Sequence, residues 1–142
     1  MLAIGSDHGG FYLKQAIMKH LDSRGIAYKD FGTYTPDSCD YPDYGKAVAK
    51  AVASGEYERG ILICGTGIGI SITANKVPGI RAALCGDCFS AEATRQHNDA
   101  NILALGARVT GEGLALKIVD TFLDTPFSND ERHKRRIAKI EG

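Results

Sequence analysis

The sequence predicts an α/β fold, a three-layer αβα sandwich on a five-stranded, parallel, doubly wound (Rossmann-like) sheet with an extra C-terminal helix. Three observations lead there. Five short apolar runs recur along the chain, and helical patterns separate them. The runs are nearly continuous in hydrophobicity, as in strands covered on both faces. The central run, Ile61–Ile63, ends at Cys64 and passes through Gly65-Thr66-Gly67-Ile68-Gly69 into a helical segment, a strand–turn–helix unit typical of parallel sheets.

Taken in order, Leu2–Ser6 reads as the first strand, and Asp7-His8-Gly9-Gly10 as the loop at its carboxyl end. The next helix carries Leu13, Ile17 and Leu21 four residues apart and ends near Gly25. A second strand falls in Ile26–Phe31. Residues 32–42 are loop, with Pro36 and Pro42 as breakers. From about Asp43 to Ser54, the residues Tyr44, Ala47, Val48, Ala51 and Val52 mark one face of an amphipathic helix. The central strand and glycine turn follow, then a helix to about Asn75. Ile80–Leu84 is the fourth strand, Phe89–Gln96 a short helix, Ile102–Leu105 the fifth strand and Gly111–Leu123 a helix. Thr125-Pro126 ends it. Ser128-Asn129-Asp130-Glu131 is a capping-box pattern for one more helix, with Arg132 and Arg136 on one face and His133, Ile137 and Ile140 on another. No repeat or linker interrupts the pattern, so 1–142 is expected to be one domain, with 126–142 a helical tail.

Seventeen acidic and 17 basic side chains cancel, which leaves no electrostatic case for nucleic acid. No apolar run approaches the roughly 20 residues of a membrane helix. Met1–Asp7 lacks the basic and apolar regions of a signal peptide. The four cysteines are therefore expected as reduced thiols in the cytoplasm.

In parallel sheets ligands sit at the carboxyl ends of the strands. Asp7, His8, Cys64, the residues after Leu84 and those after Leu105 all fall there. A strand cysteine is usually a packing residue. Cys64 instead immediately precedes a glycine-rich turn into a helix, where converging N–H groups and the helix dipole favour a thiolate or a bound anion. The turn is not a dinucleotide fingerprint, since Ile70 stands where glycine is required, and no Gly-Lys-Ser/Thr follows for a Walker A loop. Asp7-His8 alone is weak, because such pairs are often solvated turn residues. Arg95-Gln96-His97-Asn98-Asp99 reads either as a helix terminus with its dipole complemented or as the setting of a general acid or base. Arg108, Arg132 and Arg136 are by default surface charges, and two guanidiniums on one face also suit a phosphate. Cys85-Gly86-Asp87-Cys88 offers a rival reading, a dithiol redox site. No second pair at zinc-site spacing exists, so no metal centre is expected.

Four stretches together carry a resemblance: Gly5-Ser6-Asp7-His8-Gly9-Gly10, Asp40-Tyr41-Pro42, Gly60 to Gly69 with Ala74-Asn75-Lys76, and Arg95 to Asn101. In order and spacing, over nearly the whole chain, they are similar to the type B ribose-5-phosphate isomerases. That family also holds galactose-6-phosphate isomerase subunits and allose-6-phosphate isomerases. The resemblance implies cofactor-free interconversion of an aldose phosphate and a ketose phosphate, ribose 5-phosphate and ribulose 5-phosphate in the first instance, through an enediolate. It implies that Cys64 is the base. Some relatives use a glutamate at the place of Ile70. It assigns His97 to opening of the sugar ring, and Asp7 to the sugar. Gly65, Thr66, Gly67, Ile68 and Gly69 would hold the enediolate oxygens. Asn98 would be a substrate contact, His8, Arg132 and Arg136 phosphate contacts, and Arg108 a further ligand. It also implies a homodimer or homotetramer with sites shared between subunits. A six-carbon sugar phosphate remains the alternative substrate.

Overall fold

The computed structural model describes all residues, Met1–Gly142. Five strands, β1 (Leu2–Ser6), β2 (Tyr28–Asp30), β3 (Arg59–Cys64), β4 (Ala82–Leu84) and β5 (Ile102–Gly106), form one sheet in the order β2-β1-β3-β5-β4. Every neighbouring pair is parallel, with Ile4 opposite Ile61 and Ile61 opposite Leu103. Six α-helices connect or follow them: α1 (Phe11–Ser23), α2 (Tyr41–Ala53), α3 (Ile68–Asn75), α4 (Cys88–Asn98), α5 (Glu112–Asp124) and α6 (Glu131–Glu141).

Side chains alternate across each strand, and the sheet therefore carries two cores. Ile4, Ile61, Ile63, Leu103 and Leu105 pack with Ile17 and Leu21 of α1, Ala91 of α4 and Ile118, Val119 and Phe122 of α5. Ala3, Leu62, Cys64, Ile102 and Ala104 pack with Val48 and Val52 of α2 and Ile70 and Ala74 of α3. This is the predicted three-layer, doubly wound sandwich.

The winding decides where a ligand can bind. From β1 the chain moves to β2 at one edge, then returns to the other side of β1 for β3, so the strand order reverses between β1 and β3. The crevice outside the carboxyl ends at such a reversal is the binding position of open α/β sheets. Asp7 directly follows β1 and Cys64 ends β3.

Several boundaries differ from the sequence reading. The edge strands β2 and β4 are three residues each rather than six and five, because each is paired on one side only. On β4's outer edge, the Asn75 side chain donates to the Ala82 carbonyl at 3.0 Å and accepts from the Ala82 N–H at 2.8 Å. It thereby covers an edge that would otherwise invite pairing. Pro42 is not a breaker before α2 but sits in its first turn, where a missing N–H costs nothing. The cap of α6 is Asp130, which accepts from the Arg132 N–H at 2.9 Å. Ser128 lies two residues outside, accepting from the Asp130 N–H and meeting His133 Nδ1 at 2.6 Å.

The loop between β2 and α2 is anchored by a fully buried lysine. Lys14 of α1 donates to Asp30 Oδ1 and to the Thr33 carbonyl, each at 2.6 Å. Its long stem lies in the core while its charge is met by a carboxylate and a carbonyl, as a buried ammonium requires.

Candidate active site

Cys64 is 4% exposed and lines a cleft of about 380 Å³ with Asp7, Tyr41, Gly65, Thr66 and Arg108. The Gly67 N–H donates to its Sγ at 3.1 Å. That bond requires a left-handed residue at the N-terminus of α3, and Gly67 has φ +78°. A side chain there would also strike Leu84 Cδ1 at 2.5 Å and the Leu105 carbonyl carbon at 2.8 Å. The other two glycines answer to neighbours as well. A Cβ on Gly65 would meet Arg108 Nη1 at 3.2 Å, and one on Gly69 would meet the Tyr41 ring at 2.7 Å. Packing inside the protein thus restricts Gly67 and Gly69, whereas Arg108 could yield to a side chain at Gly65.

The turn's donors are partly committed. Besides the Gly67 N–H on sulfur, the Ile68 N–H donates to Thr66 Oγ1 at 3.1 Å. The N–H groups of Gly65, Thr66 and Gly69 make no hydrogen bond within the chain and stand at the start of α3, whose dipole favours an anion. The end of β5 holds the turn in place: the Ala107 N–H donates to the Cys64 carbonyl and the Arg108 N–H to the Gly65 carbonyl, both at 2.9 Å. The Arg108 guanidinium forms no ion pair. Asp7 is 7% exposed, and its Oδ1 accepts from the Gly10 N–H at 3.1 Å. His8 accepts at Nδ1 from the Cys39 N–H at 3.2 Å. Ile70 is fully buried, so the position that carries glutamate in some relatives faces the core here.

The remaining predicted residues lie elsewhere. His97, Asn98, Arg132 and Arg136 line a second cleft of about 370 Å³, with His133, Ile137 and Ile140. α4 begins beside the carboxyl edge and carries His97 about 13 Å back along its axis, at 1.5 Å per residue. Asn98 accepts at its carbonyl from Arg81 Nε, next to the start of β4. The second cleft is thus at the amino edge of the sheet. Buried Arg95 builds it, donating to Asp99 Oδ1 and the Ala100 carbonyl at 2.7 Å and to the Thr125 carbonyl at 3.1 Å. That clamp ties the end of α4 to the start of the tail and sets α6 beside His97. The His97 and His133 ring centroids are 4.6 Å apart, and Thr94 Oγ1 lies 3.0 Å from Asn98 Oδ1. The two faces that the sequence separated on α6, Arg132 with Arg136 and His133 with the isoleucines, open onto this one cleft.

Tyr41 and His133 also line the clefts, with Ile137 and Ile140, and the sequence marks none of them as a site residue: Tyr41 stands beside a helix-start proline, and His133 shares a helix face with the isoleucines. Burial lowers the His133 pKa from 6.5, and nearby His97, Arg132 and Arg136 act in the same sense. The dithiol reading meets an obstacle. Cys85 is 2% exposed, and burial together with Asp87 pushes its pKa up to about 11, the opposite of a reactive thiol.

Comparison with known proteins gives these elements a setting. A family model described as Ribose/Galactose Isomerase matches residues 2–140. A putative sugar phosphate isomerase of Bacillus subtilis is 56% identical, covering 98% of this chain and 93% of the relative. Ribose-5-phosphate isomerase B of Escherichia coli is 51% identical, over 98% of this chain and 93% of its own. Among solved structures, the ribose-5-phosphate isomerase B of Clostridium thermocellum superimposes with a TM-score of 0.97 at 58% identity, over 99% of this chain and 94% of that one. A match of nearly the whole chain, in fold and in sequence alike, leaves one conclusion: the chain belongs to the ribose/galactose isomerase family.

Proposed function

We propose that the chain interconverts ribose 5-phosphate and ribulose 5-phosphate, with Cys64 as the base. The observation that carries this is Cys64 at the strand-order reversal, a lining residue of the cleft whose sulfur accepts from the Gly67 N–H. The Cys64 thiolate removes the proton from C2 of the open aldose and returns it at C1. The negative charge that moves onto oxygen in between is met by the free N–H groups of Gly65, Thr66 and Gly69. A single such donor has contributed roughly 3–4 kcal/mol in another enzyme. Asp7 and Thr66 hold the sugar hydroxyls, and Ile68 walls the cleft. His97 assists opening of the furanose ring, with Asn98 beside it. His8, Arg108, Arg132 and Arg136 take the phosphate, whose binding orients the reacting carbons.

The division into two clefts supports a shared site. Sulfur and imidazole within one chain stand at opposite edges of the sheet, so the Cys64 edge of one copy is completed by the His97 edge of another, in a homodimer or larger assembly. Incubating the purified protein with ribose 5-phosphate and assaying ketose tests the reading. Ketose formation supports it. Turnover of allose or galactose 6-phosphate with ribose 5-phosphate untouched replaces the substrate and leaves the chemistry.

A further inference from the structure

The family assignment leaves open how His8 is held, and the loop after β2 answers it. The Cys39 N–H lies 3.2 Å from His8 Nδ1 and donates to it. A neutral imidazole has one donor nitrogen and one acceptor nitrogen, and the partner of one fixes the role of the other. With Nδ1 accepting, the proton is on Nε2. That nitrogen has no hydrogen-bond partner in the chain.

The placement of the Cys39 amide is built rather than incidental. The loop carrying it starts at a double main-chain tie to the end of β1: the Ser6 N–H donates to the Gly32 carbonyl and the Thr33 N–H to the Ser6 carbonyl, both at 2.7 Å. Buried Lys14 holds the same segment through Asp30 and the Thr33 carbonyl. Asp30 Oδ1 also accepts from the Gly32 N–H at 2.9 Å. His8 itself sits in the short 3₁₀ turn His8–Gly10, which Asp7 caps. Ring and amide thus hang from the same strand end by independent ties.

We infer that the main-chain amide of Cys39 is a positioning group that fixes His8 as the Nε2–H tautomer. His8 then meets the substrate phosphate with one directed donor. The phosphate end of this inference rests on the proposed function, and the tautomer does not. The thiol of Cys39, 3.9 Å from Nδ1, is dispensable to it.

The test begins with the free protein. Nitrogen-15 imidazole NMR of His8 should report an Nε2–H ring, unchanged in Cys39→Ala, which keeps the amide. Cys39→Pro removes that N–H, and also fixes φ and deletes the thiol that Cys39→Ala controls for; it should yield mixed tautomers. In kinetics with ribose 5-phosphate, Cys39→Pro should raise KM about five- to tenfold, less than the loss of a whole hydrogen bond to an anion because the Nε2–H tautomer stays partly populated, with kcat within about twofold. His8→Gln keeps a donor near the Nε2 position, whereas His8→Asn keeps only a group near Nδ1. Glutamine should therefore retain affinity that asparagine loses, a comparison that decides the matter even if the proline variant does not fold. An Nδ1–H ring in the unaltered protein, or equal KM in the glutamine and asparagine variants, overturns the inference. Absence of isomerase activity with an Nε2–H ring in place would defeat the functional reading instead.

Discussion

The sulfur of Cys64 and the imidazole of His97 lie at opposite edges of one sheet, in clefts with no lining residue in common. One cleft is lined by a thiol and a carboxylate beside free amide donors, the other by an imidazole and two guanidiniums; under the proposed function each is half of the site. No rotamer change spans the length of α4, about 13 Å from its start to His97. The proposed shared site therefore needs one copy's carboxyl edge to face another's amino edge.

Cys64→Ala should lower kcat for ribose 5-phosphate by at least about a hundredfold, the usual contribution of a positioned base, with KM changed by less than about threefold. Steady-state kinetics checks this. Full activity in the variant would remove the thiol from the chemistry.

Gly67→Ala should damage both fold and rate. It places a Cβ at φ +78° and 2.5 Å from Leu84 Cδ1, which costs on the order of 1–3 kcal/mol. Thermal unfolding should drop by several degrees, and kcat should fall as the N–H leaves the sulfur. A variant equal to the parent in both would show that the N–H contact does nothing.

Arg132→Ala and Arg136→Ala should each raise KM about tenfold or more, the loss of a charge-assisted contact to phosphate, with a smaller change in kcat. Both carry exposed guanidiniums on α6, so folding should be intact by circular dichroism. An unchanged KM in both would take the tail out of the site.

Stability should depend on pH through His133. Its pKa is lowered in the folded chain by burial first, then by His97, Arg132 and Arg136, with Asp130 opposing. The unfolded chain therefore binds the proton more readily. The stability conferred by neutral His133 is present above about 6.5 and is lost as pH falls from there through the folded value. Urea midpoints at pH 7.5 and 5.5 should differ less in His133→Asn than in the parent. Equal pH slopes would contradict the assignment.

The chain's pattern revealed the fold because apolar runs such as Ile61–Ile63 and Ile102–Leu105 are buried on both faces and leave a continuous signature. Edge strands did not announce their length, since Ile26 and Ile80 are apolar for packing reasons and lie outside the ladders. Pro42 misled because a proline looks alike before a helix and within its first turn. The candidate site residues stood out as types at motif spacing. Their separation did not, because the direction of α4, and so the edge at which His97 emerges, follows from the parallel crossover rather than from local pattern. His133 was hidden for a related reason: its ring is aligned by Ser128 and Arg95-anchored packing that only the folded tail creates.

Mixing Cys64→Ala with His97→Ala, after separate purification and subunit exchange, tests the shared site most directly. Each variant alone should be nearly inactive. A one-to-one mixture of dimers should recover about a quarter of parental activity, since half the dimers are mixed and each of those holds one intact site of two. A mixture no more active than its components, with subunit exchange verified, would contradict the account.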